Sequence, residues 1–171
     1  EQVQQMSELG FMGMMVSPEY GGSGMDTVSY VLAMEEISKV DSSCSVIMSV
    51  NNSLVTWGIE KFGTEEQKQK YLPKLASGEW CGAYCLTEPG AGTDALNAKT
   101  KAVLSEDGKY YILNGEKMFI TNAGWANTFI LYAKVDGEQF TGFIVEKDFP
   151  GFSAGKTLKK MGVRGSPTGE L

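Results

Sequence analysis

The 171 residues are 42% apolar and 21% charged, the balance of a soluble globular chain with room for one or two domains. A formal net charge of −6 argues against nucleic acid, which needs a basic face, and means that any anionic ligand must be held by local donors. Histidine is absent, which removes the commonest general base and the usual metal ligand, so neither a zinc hydrolase nor a Ser-His-Asp site is written here.

No metal site is expected. Cys44, Cys81 and Cys85 cannot all pair, and each lies in an apolar run, as buried free thiols do. No apolar run approaches the roughly 18 residues of a membrane span, and no signal-peptide pattern opens the chain. Both ends read as cut: the first residues fall inside a helix without an initiating Met, and Thr168–Leu171 reads as the start of a strand.

In chain order, Glu1–Leu9 reads as a helix end stopped by Gly10. The loop Gly13–Gly24 leads to Asp26, which has the chemistry of an N-cap. The helix that follows, to about Val40, carries Val28, Val31, Leu32, Met34 and Ile37 and leaves little polar face. It is expected to be largely buried. Asp41 or Ser42 caps the next helix, in which Ile47, Val50, Leu54 and Trp57 form one apolar stripe and Cys44, Met48, Val55 and Ile59 another. Two stripes predict a helix packed on more than one side, with Asn51 and Asn52 between them in need of partners. Thr64-Glu65-Glu66-Gln67 spells a capping box. Pro73 is expected to kink or shorten this helix, and Ser77-Gly78 to stop it.

From Glu79 the pattern turns to strands: Cys81–Leu86, Ala98–Leu104, Lys109–Leu113, Glu116–Thr121, Thr128–Val135 and Phe140–Glu146. Asp107-Gly108, Asn114-Gly115 and Asp136-Gly137 signal hairpins. Apolar residues on both strand faces, Tyr110 and Ile112 opposite Tyr111 and Leu113, suit a closed barrel or sandwich. The fold class predicted is therefore α+β: an all-helical domain over 1–78, then an antiparallel β-barrel or sandwich domain over 79–171, the first cut at its start and the second at its end.

The densest chemical signal is Tyr84–Asp94, YCLTEPGAGTD. A strand breaks at Thr87-Glu88-Pro89-Gly90-Ala91-Gly92-Thr93, where two glycines allow close approach to the backbone and free N–H groups with threonine hydroxyls can cradle an anion. On residue types alone an ordinary Gly-Pro loop fits equally well. In EKMFIT, Glu116–Thr121, period-two alternation puts Phe119 and Thr121 on one face and Met118 and Ile120 on the other. That pair fits a buried strand as readily as an aromatic cofactor. Lys156, Lys159, Lys160 and Arg164 form a basic tail that suits either a phosphate-bearing ligand or neighbouring subunit, or a strand edge blunted by lysines.

The YCLTEPGAGTD stretch resembles the flavin-contacting signature of the acyl-CoA dehydrogenase family. MSVNNSL at Met48–Leu54, KFGTEEQKQKYLP at Lys61–Pro73, NGEKMFITNA at Asn114–Ala123 and KKMGVRGSPTGEL at Lys159–Leu171 resemble it in order and spacing, most of all its short-chain, butyryl-CoA type members. The resemblance implies FAD-dependent α,β-dehydrogenation of a short-chain acyl-CoA to the trans-2-enoyl-CoA, as in fatty-acid β-oxidation, with hydride passing to flavin N5. It implies FAD contacts from Tyr84, Cys85, Leu86, Thr87, Glu88, Pro89, Gly90, Ala91, Gly92 and Thr93, then from Phe119, Ile120 and Thr121, with Thr93 also near the acyl-CoA. Phe119 stands where the family commonly has Trp, keeping a stacking surface but losing the indole N–H. The helix with MSVNNSL would line the acyl pocket, and Glu88 would hold the turn.

No catalytic residue is expected in this stretch, since the family's catalytic carboxylate comes from a C-terminal helical domain. The resemblance further implies electron-transferring flavoprotein as acceptor and a homotetramer or homodimer. The compartment implied is the bacterial cytoplasm or, in a eukaryote, the mitochondrial matrix. An oxygen-using acyl-CoA oxidase or flavin monooxygenase of the same fold is the alternative, and a non-catalytic binding module a third.

Overall fold

In the computed structural model, which describes residues 1–171, the helical half opens with α1 (Gln2–Glu8) and closes that helix at Gly10 in the left-handed conformation, φ 79°. Helix α2 (Thr27–Val40) starts at Asp26, whose carboxylate accepts the Ser29 N–H at 2.8 Å. Asp41 caps α3 (Ser42–Ser49) in the same way, accepting from Ser43 N–H. The chain then continues without a break through a π-helical segment, Val50–Thr56, into α4 (Trp57–Phe62). Thr64 and Gln67 form the reciprocal capping box of α5 (Glu65–Ala76), as the sequence predicts.

Three helical expectations change. Helix α2 is not largely buried: Val28, Val31 and Leu32 are exposed, and only Tyr30 is fully inside. Its apolar residues surround the helix, but neighbours cover one side alone, where Ala33, Met34 and Ile37 pack on α1 and α3 residues. Pro73 neither stops nor shortens α5, which runs on to Ala76. The carbonyl that a proline cannot serve belongs to Gln69, an exposed residue that water can satisfy. In the long central helix Leu54 and Trp57 turn outward, while Val55 and Ile59 are buried.

Seven strands follow: β1 (Gly82–Cys85), β2 (Lys101–Leu104), β3 (Tyr111–Asn114), β4 (Ile120–Thr121), β5 (Thr128–Val135), β6 (Gln139–Glu146) and β7 (Thr168–Gly169). Helices then sheet is the predicted order. Pairing is mixed. β5 carries β1 and then β2 in parallel along one edge, and β6 antiparallel along the other. β3 pairs antiparallel with β2, and β4 with β7 makes a separate two-stranded ladder. Asp107-Gly108 and Asp136-Gly137 do turn hairpins, β2–β3 and β5–β6. Asn114-Gly115 does not, because β4 leaves for β7. A Cβ on Gly115 would lie 2.3 Å from Thr100 Oγ1, so the glycine serves a close approach between chain segments.

The sheet is fastened to the helices by packing and by amides. Val50, Val55, Ile59, Leu72 and Leu75 share one cluster with Ile130 of β5. A Cβ on Gly82 would stand 2.6 Å from Val55 Cγ1, so β1 reaches this distance only as glycine. Asn51, fully buried, donates to the carbonyls of Met12 (2.9 Å) and Leu75 (3.0 Å) and accepts the Gly82 N–H at 2.9 Å. Asn52 donates to Phe11 and Met48 carbonyls. Tyr71 of α5 adds an outer tie, its hydroxyl donating to Glu146 of β6 at 2.7 Å. No helix is long and apolar enough to cross a membrane.

Replacing Asn51 with Leu keeps the branched shape but removes the amide's bonds to three backbone groups, leaving the Met12 carbonyl and the Gly82 N–H without it while the Leu75 carbonyl keeps the Gly78 N–H. At about 1–3 kcal/mol for each of those two groups, the loss of stability on urea unfolding should be roughly 2 kcal/mol or more. A change under about 0.5 kcal/mol would show that the amide is not what joins helices to sheet.

Candidate functional site

The YCLTEPGAGTD stretch leaves the sheet at Cys85. Alternation along β1 sends Ala83 and Cys85 into the inner apolar cluster with Phe129 and Val145, and turns Gly82 and Tyr84 toward the helices. The chain then folds on itself: Glu88 N–H donates to the Ala91 carbonyl at 3.0 Å and Ala91 N–H to the Glu88 carbonyl at 3.1 Å. Ala91 is buried as the foot of this turn, while Pro89, Gly90, Gly92 and Thr93 are exposed on its rim. The N–H groups of Gly90, Gly92 and Thr93 make no bond within the protein, and neither do the hydroxyls of Thr87, Thr93 and Thr121. No atom lies within 4 Å of where a Cβ would stand on Gly90 or Gly92. Such a rim of unspent donors is what an anion-binding turn requires.

Under the rim sits a buried ion pair. Glu88, 7% exposed, accepts from Lys117 Nζ at 2.8 Å, from Thr100 N–H at 3.0 Å and from the Lys99 N–H and Thr100 hydroxyl. Burial by itself would raise its pKa, but these donors outweigh that and hold the carboxyl down at about 2. Glu88 is thus spent on the turn.

The second segment is not a regular strand. Only Ile120 and Thr121 pair, with Gly169 and Thr168, and Phe119 stands at φ 59°. A bulky residue in the left-handed region is strained, and such strain is held where surroundings over-determine it. Here they do. Lys117 and Leu171 exchange backbone bonds at 2.9 Å each, Met118 N–H donates to the Thr87 carbonyl at 2.9 Å, and Asn122 N–H to Pro167. The Phe119 ring is presented to solvent, 62% exposed, while Ile120 beside it is buried.

The two segments predicted from sequence are therefore brought side by side through the Thr87–Met118 bond. Among the thirteen residues, three side chains are engaged within the protein, Glu88 holding the turn as the sequence predicts. Cys85 and Ile120 face the apolar interior because strand alternation points them there, so only their backbone can meet a ligand. The Glu88 carboxylate is saturated by protein donors. Tyr84 lies on the helical side, edge-on to Tyr132 at 5.3 Å, with its phenol pKa pushed up by burial. It lines a cavity of about 540 Å³ with Ser53, Leu54 and Trp57 of the helical layer and Ile144 of β6.

In the basic tail, Lys160 folds back onto the Ser166 carbonyl and Thr168 hydroxyl, whereas Lys156, Lys159 and Arg164 stay exposed. Sequence reasoning missed Lys117. A lysine in a polar-flanked run reads as surface, and only its unusual place before an apolar triplet hinted otherwise.

The profile of the acyl-CoA dehydrogenase N-terminal domain matches residues 1–79, and that of the middle domain matches 83–171. A probable acyl-CoA dehydrogenase of Bacillus subtilis is 53% identical over 96% of this chain and 27% of its own length. The short-chain-specific acyl-CoA dehydrogenase of Clostridium acetobutylicum is 51% identical over 100% of this chain and 46% of its own. The crystal structure of a Bacillus anthracis acyl-CoA dehydrogenase complexed with FAD superposes with a TM-score of 0.94 at 48% identity, over 98% of this chain and 29% of that one. The chain belongs to the acyl-CoA dehydrogenase family. It spans less than half the length of these relatives.

Glu88 gives the site a pH signature. Its folded pKa, about 2, lies below the ordinary 4.5. Its stabilisation is therefore complete above pH 4.5 and is lost as pH falls through the folded value of about 2. In Glu88→Gln that acid limb of the stability curve should flatten, at the cost of lower stability near neutrality. Superposable acid-unfolding curves would show that the pair contributes nothing.

Proposed function

We propose that the protein to which this chain belongs is an FAD-dependent acyl-CoA dehydrogenase that converts a short-chain acyl-CoA to the trans-2-enoyl-CoA, passing electrons to electron-transferring flavoprotein. The observation that carries this reading is the open Gly90–Thr93 rim, rich in unspent donors, set beside the exposed Phe119 ring. These residues fit FAD: the uncrowded glycines admit a large group, the rim amides and Thr93 hydroxyl suit phosphate, and Phe119 with Thr121 suits a flat ring with polar edges. When bound, FAD supplies the two-electron acceptor for the β hydrogen and its bonding pair. The chain's own part is to hold, orient and exclude water. Thr87 and Thr121 would donate to ring edges, and Thr93 would stand close to the acyl-CoA.

The apolar cavity between Leu54, Trp57 and Tyr84 would take the acyl chain. Neither Glu88, saturated and held ionised, nor any other residue of the rim offers a base for the α proton, which a carboxylate outside this chain would remove. We further read residues 1–78 and 79–171 as its helical and β domains and the working enzyme as a homotetramer or homodimer.

The test uses the full-length protein loaded with FAD under anaerobic conditions, with butyryl-, octanoyl- and palmitoyl-CoA added separately. Bleaching of the visible flavin absorbance by butyryl-CoA is expected. Bound FAD that no acyl-CoA bleaches would sink the dehydrogenase reading and favour an oxygen-using relative. Phe119→Ala provides an independent check. Because the ring is exposed, stability of the apoprotein should shift by no more than about 0.5 kcal/mol, while FAD is held more weakly. The reverse pattern, lost stability with FAD affinity intact, would make Phe119 a structural residue only.

A further inference from the structure

Lys117 is the largest fully buried side chain in the protein, 1% exposed, and none of the contacts expected of a cofactor explains why an ammonium is there. Its bonds run to Glu88 Oε1 at 2.8 Å and to the Leu86 carbonyl at 3.2 Å. Glu88 in turn accepts from Lys99 and Thr100. One ammonium therefore ties together three pieces of chain that are distant in sequence: the Leu86–Ala91 turn, the approach to β2, and the segment that leads into Phe119. Apart from it, the Thr87–Met118 backbone bond is the direct tie between the turn and the second segment. Apolar packing of the same volume would fill the space but would not fix direction, whereas charge-assisted bonds do.

We propose that Lys117 is a positioning residue for the cofactor site: acting through Glu88 and the Leu86 carbonyl, it sets the spacing between the Gly90–Thr93 rim and the Phe119–Thr121 segment. This rests on the reading of those two segments as FAD-facing. Lys117 itself is buried beneath the rim, 1% exposed. Neutralising it leaves the Glu88 carboxylate buried without its cation, which pushes the turn away from the strand. Neutralising both removes that uncompensated charge and leaves only the lost bonds.

The experiment compares wild type, Lys117→Met, Thr100→Val and the double variant Glu88→Gln/Lys117→Met in the full-length protein. Apoprotein is titrated with FAD by flavin fluorescence, and amide hydrogen exchange is followed at Thr100 and Met118 without FAD. Lys117→Met should bind FAD weaker on the order of tenfold, the scale on which supports behind a binding group act, with faster exchange at both amides. The double variant should recover part of that loss. A purely structural role would lower overall stability without this rescue.

Wild-type affinity and exchange in Lys117→Met would overturn the proposal, as would a loss that the double variant leaves equally large. Should Lys117→Met fail to fold, Thr100→Val carries the test. It removes one bond to Glu88 and should weaken FAD by about threefold, and unchanged affinity and exchange there would overturn the idea. A wild-type protein that does not bind FAD would defeat the FAD reading instead, and the exchange of Thr100 and Met118 would still decide whether the clamp exists.

Discussion

The Glu88–Lys117 pair is the constraint on which the candidate site depends. Two opposite charges are taken almost wholly out of water, which in itself is unfavourable. The pair persists because both carboxylate oxygens of Glu88 have donors, Oε1 from Lys117 and Thr100 and Oε2 from the Lys99 amide, and because Lys117 has a second acceptor in Leu86. Such an arrangement contributes less to overall stability than to uniqueness. It leaves one geometry for the turn above it, and that turn keeps its remaining donors for something outside the chain.

The rest of the fold serves to place this turn. Parallel pairing with β5 fixes where β1 ends, and hence where YCLTEPGAGTD leaves the sheet. β1 is fixed in turn by Gly82 lying against Val55 and by the Asn51 amide, so the helical layer sets the height of the strand. The π-helical turn at Val50–Thr56 sends Asn51 and Asn52 inward together and leaves Leu54 facing the cavity beside Tyr84. Widened turns of this kind recur at functional sites. Helix and loop, far apart in sequence, thus meet at one wall.

Local chemistry is legible in the sequence. Asp26, the Thr64–Gln67 box and the strand Thr128–Val135 each follow from interactions within a few residues, and each is where the sequence puts it. What escaped depends on partners distant in the chain. Gly115 looks like a hairpin residue but exists for Thr100, and Lys117 looks like surface but is claimed by Glu88 twenty-nine positions away. Phe119 breaks its strand pattern because Met118, Lys117 and Asn122 are all pinned by other segments. The apolar face of α2 misled in the opposite direction, since composition reports a preference for burial and not the presence of a neighbour. Among the candidate site residues, the loop glycines and Thr93 stood out by type without separating an ordinary loop from an anion cradle, whereas the inward turn of Cys85 and Ile120 needed the register of the sheet.

The most direct measurement is a crystal structure of the full-length protein with FAD bound. The isoalloxazine ring is expected against Phe119 and Thr121, with the Gly90–Thr93 amides within hydrogen-bond distance of cofactor oxygens and the Glu88–Lys117 pair unmoved below. A ring lodged elsewhere, for instance in the groove of about 670 Å³ flanked by Tyr110–Leu113 and Phe149–Ser153, with the rim amides facing only solvent, would contradict the assignment of this turn as the cofactor's cradle.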